Sequence, residues 1–413
     1  MPSRRLAALA MVALLGISPG CDHAAEQVEP DAAVAERDAA TETPHVGEAV
    51  DAGTDAGADE RPAACRARTL EVRGPADAKS SVELADCRFT RTGVERVAQR
   101  CGRDEALRAR LDLDRLDAAA PALDAATATH VRSVVARGRA IGRNARSFGL
   151  AGDSLTLPSL FLGPFAAGAK PGFSLAPDVA ARLRVAGGPR LVMEHYRGEP
   201  VVRQGKVPVD AFAAPRAAKI GARASWVLSD DGRGHSPLTA MIERVSPAVA
   251  VVMFGSNDAA YRMTEPEGVA RGFAADLRHV VDALEASGVV VVLTTPPRHG
   301  RAPSLPDCAR DPAEPSNWRL AVQTNAVAAA VAELACERAL PLVDLRAALE
   351  ELPNHGLGKD GVHLTSFADG AGVLDEAGLS CGFNVRNYVT LKMLTHLVPL
   401  LDEDRPADTS TAP

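Results

Sequence analysis

Three short strings in this chain combine residue types that can move a proton and hold a negative charge. They are Gly152-Asp153-Ser154-Leu155, Gly255-Ser256-Asn257-Asp258 and Asp360-Gly361-Val362-His363. A serine hydroxyl is a weak nucleophile at neutral pH. It needs a base within hydrogen-bond reach and donors for the oxyanion its attack creates. The Asp360-x-x-His363 spacing, in a tight turn, lets a carboxylate hold one imidazole nitrogen while the other faces outward. A neutral histidine held in this way is a competent base for Ser154. Asn257 carries an amide suited to an oxyanion. Each string alone has a plainer reading, as a turn or a loop opening. Their weight comes from recurring together, each after a stretch that reads as a strand.

Those stretches define the scaffold. Phe148–Ala151, Ala218–Gly221, Ala248–Gly255, Val289–Thr294 and Leu340–Leu345 read as strands. The runs Val249-Ala250-Val251-Val252-Met253-Phe254 and Val289-Val290-Val291-Val292-Leu293 are continuous, apolar and rich in β-branched residues, as central parallel strands covered on both faces should be. Pro237–Val245, Glu267–Ser287, Trp318–Arg338 and Val385–Leu401 read as helices between and after them. The expected fold class is α/β, a parallel sheet with helices on both sides, which binds ligands at the carboxyl ends of its strands. Asp104 to Ala140 also reads as helical, with Leu107, Leu111, Leu116, Leu123, Val131 and Val135 at helical intervals and a break near Pro121.

Together the three strings resemble the SGNH/GDSL hydrolase family of serine esterases and lipases, as its first, third and fifth blocks. The second block is a single glycine after the second strand. Gly221, in Lys219-Ile220-Gly221-Ala222-Arg223-Ala224-Ser225, is the candidate, with Gly232 and Gly234 as alternatives. The resemblance covers about 148 to 400. It implies a three-layer α/β/α sandwich with a parallel, flavodoxin-like sheet, carrying out acyl transfer without a metal or cofactor. It also implies Ser154 as nucleophile, His363 as base and Asp360 as its orienting acid. The oxyanion hole would be formed by the Ser154 and Gly221 backbone N–H groups and the Asn257 side chain.

The ends of the chain read differently. Arg4, Arg5 and the apolar run Leu6–Ile17 form an export signal over residues 1–20, too short in its apolar part for a confident membrane span. Cys21, after the small residues Ser18-Pro19-Gly20, is a candidate lipid-bearing first residue of a bacterial lipoprotein. Gly16-Ile17-Ser18-Pro19-Gly20 also matches a lipase-type G-x-S-x-G string, but lies in the signal and not at a strand-to-helix turn. Residues 21–64 read as a disordered acidic linker: twelve acidic side chains face only Arg37 and Arg61, while the whole chain has a formal net charge of −7. The acidity therefore belongs to a solvated tether and not to the folded part. Residues 65–147 form a small N-terminal addition, read as a cap or brace, 148–401 the hydrolase domain and 402–413 a polar tail.

No basic stripe points to nucleic acid, and no metal-ligand spacing such as C-x-x-C or H-E-x-x-H occurs. Cys65, Cys87, Cys101, Cys308, Cys336 and Cys381 form an even set, suggesting disulfides in an exported chain. Asp153 and Asp258 read as loop braces, Asn325 as a packing or capping residue, and His195, His235, His299 and His355 as solvated loop histidines. Trp226 reads as core, and Tyr261 as a possible flank of the cleft. The expected activity is hydrolysis of short-chain acyl esters, on O-acylated carbohydrate or another cell-surface ester. A longer-chain lipase, lysophospholipase or thioesterase is the first alternative, and an inactive glycan-binding member the second.

Overall fold

A computed structural model describes residues 112–403, apart from 187, 199, 205–206, 233, 262–265, 300–314 and 359. The expectations for residues 1–111, Cys21 included, and for most of the C-terminal tail lie outside the described residues.

The described chain opens with α1 (Leu113–Ala118) and α2 (Ala125–Ala140). Asp112 and Asp124 cap them, their carboxylates accepting the Asp114 and Thr127 N–H groups, and the expected break near Pro121 falls between them. The first strand, β1 (Asn144–Gly152), is followed by a long excursion to β2 (Ala217–Ala218). Then come α3 (Pro237–Val245), β3 (Pro247–Met253), α4 (Ser256–Tyr261), α5 (Pro266–Ala286) and β4 (Val290–Thr294). The chain continues through α6 (Pro315–Glu337), β5 (Leu342–Val343) and α7 (Gly382–Asp402).

The five strands form one sheet in the order β2-β1-β3-β4-β5, and every pair is parallel. Leu150 lies opposite Val251, and Gly152 lies between Ala218 and Met253. From β1 the chain moves outward to β2 and then returns to the other side of β1 as β3. That reversal leaves a crevice at the carboxyl ends of β1 and β3, where ligands of open α/β sheets bind.

Strand side chains alternate between two cores, which is why these strands are apolar throughout. Phe148, Leu150, Val249, Val251, Met253, Val290, Val292 and Val343 pack with α1, α2 and α7. Ala151, Ala250, Val252, Val291, Leu293 and Leu342 face α3, α5 and α6. The result is an α/β/α sandwich. Residues 112–147 supply Leu116, Val131 and Val134 to the first core. The chain is poor in aromatic residues, at 4%, and gathers several of them under the β1 exit. Phe148 meets Tyr196 and Phe212 edge-on, with ring centroids 5.1 Å apart in both cases, while Phe165 packs on Phe173 and Phe212. No helix of the described residues is long and apolar enough to cross a membrane.

The boundaries expected from sequence move where apolarity misreports pairing. β1 begins at Asn144, which pairs with Pro247 through its backbone; a register shift follows before regular pairing with β3 starts at Phe148. The second strand covers Ala217–Ala218 instead of Ala218–Gly221, since Gly221 takes a positive φ of 72° in a turn. The last strand shortens to Leu342–Val343, because Asp344 already caps the following helix Leu345–Leu349. The final helix starts earlier, at Gly382, and Asp402, expected in the tail, is its last residue. Cys336 and Cys381 are both disulfide-bonded, and the other four cysteines of the expected set lie outside the described residues.

Candidate active site

The Ser154 turn follows directly from the end of β1. Gly152 is required there: a Cβ would collide with Thr156 Oγ1 and the Met253 carbonyl oxygen. Asp153 then caps a single 3₁₀ turn over Ser154–Thr156, its Oδ1 accepting the Leu155 N–H at 3.0 Å. A short carboxylate is well suited to holding a turn's backbone donors in this way. Leu155 and Thr156 point inward, and Ser154 is left partly exposed at the crevice.

Asp360 and His363 stand on a loop closed by a bridge between Leu357 and Leu364 and by the Gly358 N–H on the His363 carbonyl, at 2.7 Å. Asp360 Oδ1 accepts the Val362 and His363 N–H groups, each at 3.0 Å. Its Oδ2 accepts from His363 Nδ1 at 2.7 Å, and His363 Nε2 lies 3.0 Å from Ser154 Oγ. With Nδ1–H donated to the carboxylate, the Nε2 lone pair faces the hydroxyl. Desolvation pulls the Asp360 carboxyl upward. The hydrogen bonds from His363 and Val362 and the charge of His363 outweigh it, leaving the group below the ordinary carboxylate range.

Asn257 is the second residue of α4, just past β3. Its Nδ2 donates to Asp153 Oδ2 at 3.3 Å and to the Ala222 carbonyl at 3.2 Å, which ties the β1 exit to the turn after β2. That turn contains Gly221 and is closed by the Ala222 N–H on the Lys219 carbonyl at 3.1 Å. The Lys219 N–H in turn reaches the Gly152 carbonyl at 3.3 Å. The alternatives Gly232 and Gly234 instead give their N–H groups to Asp230 Oδ1, at 2.7 and 2.8 Å. Asp258 accepts the Ala224 N–H. The structure thus brings Ser154, Asp360 and His363 into one hydrogen-bonded line, with Asn257 linking Asp153, the residue before the serine, to the turn that contains Gly221.

The other residues noted in the sequence fall elsewhere. Asp153 and Asp258 are buried and brace loops, as read. Three of the four histidines expected in solvent are buried: His195, His299 and His355. His195 lies on a helical turn packed against β1, donates Nε2–H to the Ala145 carbonyl at 3.0 Å, and accepts from Arg146 and Arg190. Burial lowers it to about pH 4, so it is neutral. Only its polar sequence neighbours suggested exposure. His235 is exposed. Trp226 is not core but half-buried at its edge, with Lys219 Nζ 5.8 Å above its ring, and Asn325 is buried within α6. The Tyr261 side chain lies outside the description. Sequence reading overlooked Arg216, Asn384, Arg386 and Asn387, which bind the loops around Ser154 and His363. The signal was present in α7, as three polar residues close together at the head of a mainly apolar helix. Among the described residues no group of His, Cys, Asp or Glu is placed to hold a metal ion.

Residues 196–368 match the model of the GDSL-like Lipase/Acylhydrolase family. The match takes in Gly221, Asn257, Asp360 and His363 and begins after Ser154, which only the tertiary structure joins to them. No curated protein matches the chain.

Two buried carboxyls near the serine give the site a pH signature. Burial pushes Asp153 up to about 6, against the opposing pull of the Leu155 N–H, Arg386 and His363. Burial also raises Asp258 to about 6, reinforced by Asp276 and Asp153. An unfolded aspartate titrates near 3.9. Between about pH 6 and pH 4 the folded state therefore binds more protons than the unfolded state, and stability from these groups rises as pH falls. Asp153→Asn removes this contribution. Its Tm relative to the parent chain should become less favourable between pH 7 and pH 5, and an unchanged difference in calorimetry would refute the assignment.

Proposed function

We propose that this SGNH/GDSL-type carboxylic ester hydrolase is a serine esterase of the acyl-enzyme type, with Ser154 as nucleophile and His363 as base. The observation that carries the reading is the continuous line from Asp360 through His363 to Ser154, with heavy-atom separations of 2.7 and 3.0 Å. Both are in the range a general base needs.

In this mechanism Ser154 Oγ attacks the ester carbonyl as its proton passes to His363 Nε2. Asp360 keeps Nδ1–H oriented and stabilises the imidazolium. The carbonyl oxygen becomes an oxyanion, received by the Ser154 and Gly221 N–H groups and by Asn257. At rest the Asn257 amide lies on Asp153 Oδ2 and the Ala222 carbonyl, and one of its N–H groups turns to the oxyanion as charge develops. Collapse expels the alcohol, which takes the proton from His363. Water, activated by the same histidine, then releases the acid and restores Ser154. Each oxyanion donor is worth about 3 kcal/mol in the transition state.

A short acyl group is the reading best supported for the substrate. A long acyl tail needs an extended apolar groove, at about 0.8 kcal/mol per buried methylene. Of the apolar cluster that follows the serine, Phe161, Leu162 and Phe165 are fully buried in the core and are not available to line a groove, which leaves only the partly buried Leu160. The segment before Asp360 is polar or glycine-rich. An exported enzyme with a small acyl pocket and an open alcohol side suits O-acylated carbohydrate or another surface ester. The signal-like residues 1–20 and Cys21 support export with a lipid anchor, the acidic segment 21–64 acting as a tether.

Four outcomes are expected. Ser154→Ala and His363→Ala should each nearly abolish p-nitrophenyl acetate hydrolysis with circular dichroism unchanged, and Asp360→Ala should leave more activity. Asn257→Ala should lower kcat about a hundredfold or more at similar KM. A folded, fully active Ser154→Ala protein would end the proposal. Across esters from C2 to C16, kcat/KM should peak at C2 to C4, whereas a peak at C8 or beyond would favour the lipase alternative. Cys21→Ser should move the protein from the membrane fraction of a bacterial host to the soluble one, and a parent protein already soluble would remove the anchor.

A further inference from the structure

The head of α7 carries three fully buried polar side chains, Asn384, Arg386 and Asn387. Asn384 accepts the Phe367 N–H at 3.1 Å and donates to the Gly370 and Val373 carbonyls at 3.0 and 2.8 Å. All three belong to the segment that leads away from His363. The first N–H groups of the helix go to the same segment: Gly382 to Thr365 Oγ1 at 3.0 Å, and Phe383 to the Thr365 carbonyl at 2.8 Å.

Arg386 points the other way. It donates to the Leu155 carbonyl and to Thr156 Oγ1, and its guanidinium carbon lies 3.7 Å from the centre of the Phe161 ring. Leu155 and Thr156 immediately follow Ser154. Asn387 joins both sides: it accepts the Leu162 N–H at 2.8 Å and donates to the Leu160 and Ala371 carbonyls, each at 2.9 Å. Arg216 supports the same serine-side segment, donating to the Thr156 and Phe161 carbonyls at 2.7 and 2.9 Å.

Burying a guanidinium is costly, and an apolar side chain of similar volume often stabilises a core as well or better. Here the hydrogen bonds of all three side chains go to the two loops that flank Ser154 and His363. We infer that Asn384, Arg386 and Asn387 are positioning residues that set the distance between Ser154 Oγ and His363 Nε2. One rigid helix end grips the segment behind the serine and the segment behind the histidine, so the two cannot drift apart independently. A displacement of about 1 Å between reacting groups can lower a rate about a hundredfold, so a clamp of this kind acts on kcat.

The inference rests on Ser154 and His363 being nucleophile and base, and the test separates the two claims. Arg386→Met and Asn387→Ala, in the full-length chain with unchanged circular dichroism, should lower kcat for p-nitrophenyl acetate by at least about tenfold, with KM within about twofold. Arg386→Lys should recover part of the loss. In a His363→Ala background, Arg386→Met should cost less than about twofold, because a clamp acting through the histidine has nothing left to position. Wild-type kcat in both folded single variants, or the same loss with and without His363, would overturn the inference. Should Arg386→Met fail to fold, Asn387→Ala combined with His363→Ala carries the same test. An inactive Ser154→Ala beside fully active Arg386→Met and Asn387→Ala would remove the clamp alone, whereas an active Ser154→Ala would remove the reading beneath it.

Discussion

The 3.0 Å contact between His363 Nε2 and Ser154 Oγ joins segments 209 residues apart, and most of the fold serves to bring those segments together. The serine side needs a strand that ends abruptly at the sheet's switch point. The parallel sheet supplies it, with Gly152 wedged between its neighbours and Asp153 turning the chain. The histidine side comes from beyond the last strand, on a loop with no partner in the sheet. A parallel two-residue pairing of Ser174–Leu175 with Val373–Leu374 ties that region to the excursion after β1, and the head of α7 binds both.

Short carboxylates recur wherever a functional side chain leaves regular structure. Asp153 caps the turn of Ser154, and Asp360 holds the backbone of the very histidine it orients. Asp210 accepts the N–H groups of Ala167, Phe212 and Ala213, fixing the path of the long excursion. Each carboxylate satisfies backbone donors that a sharp turn leaves without helix or sheet partners. The buried ones sit in a strained electrostatic balance. Asp153 is raised by burial while Arg386 pulls it down, and Arg386 and Arg216 are themselves lowered to about 9 by desolvation. Such perturbed groups gather at functional sites because geometry there takes precedence over the solvation of individual charges.

Much of this was legible in the residues alone. Continuous β-branched runs marked β3 and β4, since a strand buried on both faces needs no polar alternation. The strings holding Ser154, Asn257, Asp360 and His363 could be read because each requirement of the chemistry is met by a distinct residue type within a few positions. The interval between Asp360 and His363 is local, and their hydrogen bond follows from one turn.

What the sequence could not determine is whatever depends on contacts between distant segments. The sheet order, and hence the crevice between β1 and β3, comes from which edge each strand joins, and no single strand encodes that. Burial of His195 is set by packing against β1, not by its polar neighbours in the chain. Asn384, Arg386 and Asn387 sat unremarked in the last helix because a polar residue in an apolar run has meaning only once its partners are known, and theirs are loops some 15 and 230 positions away. The sequence by itself determined the candidate site residues and the local turns that orient them. Only the tertiary structure decided their separation, because a hydrogen bond between remote loops is fixed by the packing that holds both backbones in place.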